Sequence, residues 1–216
     1  MGEPQATRAD EPRDVAVYMV SYLEAIPSST NEAAALLRQY REASRTEAGH
    51  KRLEVLQQRG RPGHFAVVEL WQDQQAFEAH DAATHTGRFR EALRPLCASP
   101  YDERPHAYLA GGPMRAAQAT GDMYVVTHVD AILPAKDDAV ALLKQLVRSS
   151  RDDDGCVRFE ALQQRGRQNH FSVVEVWRDR QAFEAHVTAA HTRRFREQFQ
   201  PMTGSLYDER LYQALD

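Results

Sequence analysis

The chain has 216 residues, with 27 Lys and Arg against 31 Asp and Glu and a formal net charge of −4. This near balance gives no reason to expect a nucleic-acid partner. The lack of any run of about 18 apolar residues gives none to expect a membrane span. Two cysteines, Cys97 and Cys156, stand at no metal-ligand spacing and read as free thiols of a cytoplasmic protein.

The chain opens with MGEPQATRADEPRD, which is polar and lacks a signal-peptide core, so residues 1–13 read as a disordered tail. Residues 15–23 are β-branched and aromatic, a first strand that ends before Pro27. A helix is expected over 31–44, with Leu36, Leu37 and Tyr40 as its apolar stripe. Residues 52–58 alternate as a strand with one polar face. After the loop RGRPG, residues 64–71 read as a central strand, apolar on both faces except for Glu69. Asp73 is an expected N-cap for a helix over 74–80, and a second helical segment follows through ATHTGRF. The last strand starts near Asp102, and Pro105 predicts that it lies at an edge or begins late.

The same series then repeats. Residues 56–104 and 162–210 are identical at 32 of 49 positions at an offset of 106, without a gap, and both stretches end in YDER. The second copy places strands at 123–131, 158–164 and 170–177 and near Asp208. Its helices are expected over 137–149, with Val140, Leu143 and Val147 in the stripe, and over 180–186 after Asp179. The organisation expected is a unit over 14–110, a Gly- and Ala-rich linker over 111–121 and a second unit over 122–216. Each unit reads as βαββαβ, so the fold class is α+β: two ferredoxin-like units packed sheet to sheet as an intramolecular pseudo-dimer. The space between the sheets is the expected ligand pocket, one per unit. The fused chain is compatible with a monomer or with further dimerisation.

Alternation sets Phe65, Val67, Glu69 and Trp71 on one face of the central strand, and Phe171, Val173, Glu175 and Trp177 repeat that face. A buried acid beside a Trp needs a partner, hydration or a raised pKa. Three readings follow for Glu69 and Glu175: a base in a partly closed pocket, a group that orients a histidine there, or an ion pair with Arg52 or Arg158 on the neighbouring strand. His80 and His186 share a helix face with Phe77 and Phe183. They read either as bases for a phenol or as core histidines. His85 and His191 start the next helical segment and either act with the first pair or cap a turn. Trp71 and Trp177 could stack on a planar aromatic, and Phe65, Phe171, Phe77 and Phe183 are candidate pocket walls. HExxH, facial-triad, GxSxG, GxGxxG and GxxxxGK patterns are all missing, so neither a metal nor an organic cofactor is expected.

The stretches VVELWQDQQAFEAHDAATHTGRF and VVEVWRDRQAFEAHVTAAHTRRF resemble the signature of the antibiotic biosynthesis monooxygenase domain, in the dimeric α+β-barrel superfamily. The resemblance covers both units. It implies that each last strand reaches across to the other half to close a barrel. It also implies an oxygenase needing neither flavin nor metal, in which a quinol, an anthrone or a similar phenolic aromatic is deprotonated and reacts directly with O2. Trp71, Trp177, His80, His186, His85 and His191 match the family's pocket Trp and helix histidines. Anthrone-oxidising relatives carry a helix Tyr and a strand Asn where Phe77, Phe183, Val67 and Val173 stand here. The haem-degrading branch uses a first-strand Asn that neither copy has. The same fold implies, as alternatives, a small-molecule-binding or stress-related protein without chemistry, or an isomerase.

Overall fold

The computed structural model describes residues 15–112 and 122–215. The tail over 1–13 and most of the expected linker lie outside the described residues. In the first half the elements are β1 (Val17–Glu24), α1 (Thr30–Ser44), β2 (His50–Gln58), β3 (His64–Trp71), α2 (Gln74–Asp81), α3 (Thr84–Leu93) and β4 (Asp102–Ala110). The second half repeats them as β5 (Met123–Asp130), α4 (Lys136–Ser150), β6 (Cys156–Gln164), β7 (His170–Trp177), α5 (Arg180–Thr188), α6 (Ala190–Phe199) and β8 (Asp208–Ala214). Among these residues no helix is long and apolar enough to cross a membrane.

The strands form one closed antiparallel barrel in the order β1-β3-β2-β8-β5-β7-β6-β4. Each half keeps its ferredoxin-like order, and the last strand of each half pairs with the second strand of the other. The β2–β8 seam runs from Leu56 opposite Ala214 to Gln58 opposite Tyr212. The β4–β6 seam runs from His106 opposite Gln164 to Tyr108 opposite Leu162, with a bulge before Ala110. Closure removes the free edges that two separate sheets would leave. It also revises the expectation for Pro105. That residue is not on an edge strand: β4 pairs with β1 over Asp102–His106 and with β6 from His106 onward, so Pro105 sits where the partner changes.

Alternation along β3 and β7 sorts two layers. Phe65 and Val67 pack with Leu37, Tyr40, Phe89 and Leu93 beneath the helices of the first half. Phe171, Val173 and Trp177 do the same with Leu143, Phe183 and Phe195 in the second. Ala66, Val68 and Leu70 face inward and meet Tyr18, Leu56, Tyr124, Leu162 and Tyr212. The polar face expected on residues 52–58 is the inward one. Arg52 donates to Glu160 at 2.7 Å and Arg158 to Glu54 at 2.6 Å, each pair crossing between halves. The middle of the space between the sheets, expected to be the ligand pocket, is therefore filled by tyrosines, leucines and this buried ion-pair quartet, while a cavity of 250 Å³ remains between the halves, lined by Tyr22, Phe65 and Arg104 of the first and by Val126, His128 and Tyr212 of the second. Filling a closed barrel of this size with its own side chains is the usual outcome.

Candidate active site

The singled-out face of the central strand looks outward into the helix-covered layer. Glu69 is buried there without an arginine: Arg52 and Arg158 are committed to the lumen, so the ion pair considered for Glu69 and Glu175 is not formed. The Glu69 carboxylate instead accepts from Trp71 Nε1 at 2.9 Å and from Tyr40 Oη at 3.2 Å. The Tyr40 hydroxyl also lies 2.6 Å from His80 Nε2, and His80 Nε2 lies 3.5 Å from Glu69. The imidazole of His80 stacks on the Trp71 indole with centroids 4.2 Å apart, and Tyr40 stacks on Phe89 at 4.0 Å. Burial raises the pKa of Glu69, against the opposing pull of His80, Trp71 and Tyr40. Burial and the neighbouring Glu69 keep the Tyr40 phenol protonated far above its ordinary range.

The second half builds the same acid, indole and imidazole core but lacks the phenol. Trp177 Nε1 donates to Glu175 at 2.8 Å and the indole stacks on His186 at 4.6 Å, but Leu146 occupies the position of Tyr40. Burial lifts Glu175 to about 8, with the Trp177 hydrogen bond and Arg196 opposing it and Glu209 adding to it. A phenol therefore reaches the buried acid from α1 in the first half, and the equivalent helix position in the second half has none.

Local sequence explains the placement. Asp73 and Asp179 cap α2 and α5 by accepting from Ala76 N and Ala182 N, each at 2.8 Å, as expected from the sequence. The turn between α1 and β2 carries Gly49 at φ +77°, and its repeat equivalent Gly155 has φ +81°. A Cβ on Gly49 would sit 2.4 Å from Ala76 Cβ, so only glycine lets this turn lie against α2. That approach carries Glu47 over α2. Its Oε1 is 2.8 Å from His80 Nδ1 and 2.9 Å from His85 Nε2. Asp153 stands likewise 2.8 Å from His186 Nδ1 and 3.2 Å from His191 Nε2.

A cavity of 510 Å³ lies between α3 and the start of β4, walled by Arg90, Leu93, Arg94, Cys97, Tyr101 and Glu103. Trp71, His80, Phe65 and Phe77 are not in its wall. Phe65 and Phe171 are packed core, and Phe77 is half-buried on α2. Tyr101 links the cavity to the buried acid. Its ring meets Phe89 edge-on at 5.8 Å, and burial together with the charge of Glu69 pushes its phenol well above the ordinary value. A smaller hollow of 240 Å³ in the second half is lined by Asp153, Arg178, Ala182 and His186.

Of the candidate residues, the structure gathers Glu69, Trp71, His80 and His85 into one cluster, and Glu175, Trp177, His186 and His191 into another. Sequence reasoning missed Tyr40, Tyr101, Glu47 and Asp153. Tyr101 had a signal in the repeated YDER, and Glu47 and Asp153 in the carboxylate held two residues before a glycine in both copies.

Two fused ferredoxin-like repeats closing one barrel, with an acid, an indole and an imidazole under each helical layer, define a dimeric α+β-barrel protein. The chain belongs to the antibiotic biosynthesis monooxygenase family, whose sequence profile matches residues 16–92 and 123–198, once in each repeat. No curated protein matches it in sequence. Among solved structures it is similar to a candidate monooxygenase of Fusobacterium nucleatum subsp. nucleatum ATCC 25586. That match has TM-score 0.84 and 16% identity, covering 94% of this chain and 93% of the other. A candidate monooxygenase of Lactobacillus acidophilus NCFM follows, with TM-score 0.76 and 13% identity over 94% and 95% of the two chains. An anthrone oxidase-like protein superposes with TM-score 0.67 and 12% identity over 94% and 92%. At these identities the likeness is one of fold.

Proposed function

We propose that the protein is a monooxygenase that oxidises a phenolic aromatic of the quinol or anthrone class with O2, without flavin or haem. The observation that carries the reading is a buried carboxylate of raised pKa beneath each helical layer, fixed by an indole N–H and, in the first half, approached through Tyr101 from a cavity that this tyrosine walls together with Leu93 and Arg90. A base serves best when its pKa lies near the working pH, and Glu175 at about 8 meets that condition. Glu69 and Glu175 are the proton acceptors in this scheme. Tyr40 and His80 hold the Glu69 carboxylate in place, and Tyr101 stands between it and the substrate. An anthrone methylene gives its proton to the Tyr101 hydroxyl as that hydroxyl passes its own proton on to the carboxylate, and the resulting anion passes one electron to O2. Superoxide and the aryl radical then combine. The peroxide takes the proton back, and loss of water leaves the ketone.

Oxygen uptake with a panel of quinols and anthrones tests this. Wild type is expected to turn over at least one of them. Glu69→Gln combined with Glu175→Gln keeps the indole hydrogen bonds and is expected to lower kcat by about a hundred- to ten-thousand-fold. Equal turnover in that variant would remove the carboxylates from the scheme, and no uptake by wild type with any member would remove the oxygenase. One observation favours a ligand-holding role without chemistry, namely that neither indole lines the cavity. An aromatic retained intact by the wild type, with no oxygen consumed, would establish that role.

A further inference from the structure

We infer that each repeat carries a site for a divalent first-row transition ion, made by Glu47, His80 Nδ1 and His85 Nε2 in the first half and by Asp153, His186 Nδ1 and His191 Nε2 in the second. In both clusters the three ligand-type atoms lie within 4.8 Å of one another. Ions of this class bind imidazole nitrogen and carboxylate oxygen at about 2.0–2.2 Å, which sets neighbouring donors about 3.0–3.4 Å apart. The carboxylate-to-imidazole separations of 2.8, 2.9, 2.8 and 3.2 Å need little change to reach that spacing. Two imidazoles and one carboxylate are a donor set suited to zinc or to iron and its neighbours, and three protein donors leave positions open to water.

Three independent features support the assignment. First, the turn that carries the carboxylate has otherwise diverged between the copies. Thr46, Ala48 and His50 became Asp152, Asp154 and Cys156, while Glu47 became Asp153 and the glycine stayed. The donor class survived although the residue changed. Second, the far nitrogen of His80 is held by Tyr40 at 2.6 Å and faces Glu69, the outer-shell arrangement that orients a metal-binding imidazole. Third, the site is reachable. Asp153 and His186 line the 240 Å³ hollow, and His85 and His191 are half-exposed. Because Leu146 replaces Tyr40, the second half lacks the phenol that holds His80 in the first, so the two sites are expected to differ in affinity, the first being tighter.

The inference stands apart from the oxygenase reading, since it needs no substrate. The chain has two tryptophans, and each indole is stacked on one of the proposed ligands. Co²⁺ titrated into the full chain is therefore expected to quench tryptophan fluorescence in two phases. Visible d–d absorption should grow in to two ions per chain. His85→Ala should abolish the tighter phase and His191→Ala the weaker, leaving one ion in each case, while far-UV circular dichroism confirms that both variants are folded. No quenching and no visible band at tenth-millimolar Co²⁺, or quenching that both variants retain, would overturn the inference and leave these clusters as hydrogen-bonded side chains only. Two ions bound with no oxygen uptake on any phenol would instead count against the oxygenase and leave the metal sites standing.

Discussion

Single residues in this barrel carry charge decisions that the backbone cannot make. His106, on β4, is fully buried, with Nδ1 2.7 Å from the Arg104 carbonyl and Nε2 3.0 Å from Ser172 Oγ. The neutral imidazole satisfies both contacts, donating from Nδ1 and accepting at Nε2. Burial lowers its pKa from 6.5 to about 4. The folded protein therefore takes up this proton only near pH 4, whereas the unfolded chain takes it up near 6.5. Between those values the unfolded state binds more protons, so stability falls as pH drops through this window, by up to about 3 kcal/mol for this group. Urea denaturation at pH 7.5 and 5 should show the fall, and His106→Gln should make it shallower. An equal slope in the variant would assign the effect elsewhere. The nearby His128, pushed down to about 4 by burial and Arg104, acts in the same direction. None of this was legible in the sequence, because His106 occurs in one copy only and Tyr212 stands at the equivalent position. Glu69 was legible, since an acid on a two-faced apolar strand has to be explained. Its partner was not, because Tyr40 arrives from a helix 29 residues earlier and reads there as one more apolar stripe residue.

At the scale of elements, β3 and β7 follow the bounds read from their apolar runs, and the caps at Asp73 and Asp179 form as their residue type demands. The helices differ from expectation only at their ends, where fraying and capping blur any sequence signal. What the pattern could not say was which way a polar strand face looks. Leu53 and Val55 turn to the helices, so Arg52 and Glu54 turn into the barrel, against the habit of placing charge in water. The turns between α1 and β2 are a second element-scale device. Gly49→Ala has to relieve both the left-handed φ and the contact with Ala76, and is expected to cost about 1–3 kcal/mol. Its effect should reach further than stability, because moving this turn draws Glu47 away from His80 and His85. Thermal unfolding gives the first quantity. The second should appear as a changed shift of the His80 ring protons in the NMR spectrum, and an unmoved His80 would show that the turn does not position Glu47.

For the whole molecule, the lumen quartet matters more than any single helix. Arg52 and Arg158 hold Glu160 below the ordinary carboxylate range although burial pushes it up, and the two shortest ion pairs in the set, at 2.7 and 2.6 Å, cross from one half to the other. Arg158→Ala leaves Glu54 buried without its main partner and is expected to cost about 3–5 kcal/mol. Replacing all four by Met and Leu should be neutral or stabilising by about 1–4 kcal/mol. Chemical denaturation of both variants measures the two values, and a mild loss for Arg158→Ala would mean that water reaches the lumen. The two seams have a further consequence. Only a few residue pairs of β2 with β8, and of β4 with β6, stitch the ring shut, and identical strands are offered by every other copy of the chain. A polypeptide that opens at one seam before closing finds the same complementary border on its neighbour. Crowded folding can therefore exchange halves between molecules, and the stretch joining the repeats suppresses this by keeping the correct half always the nearer one.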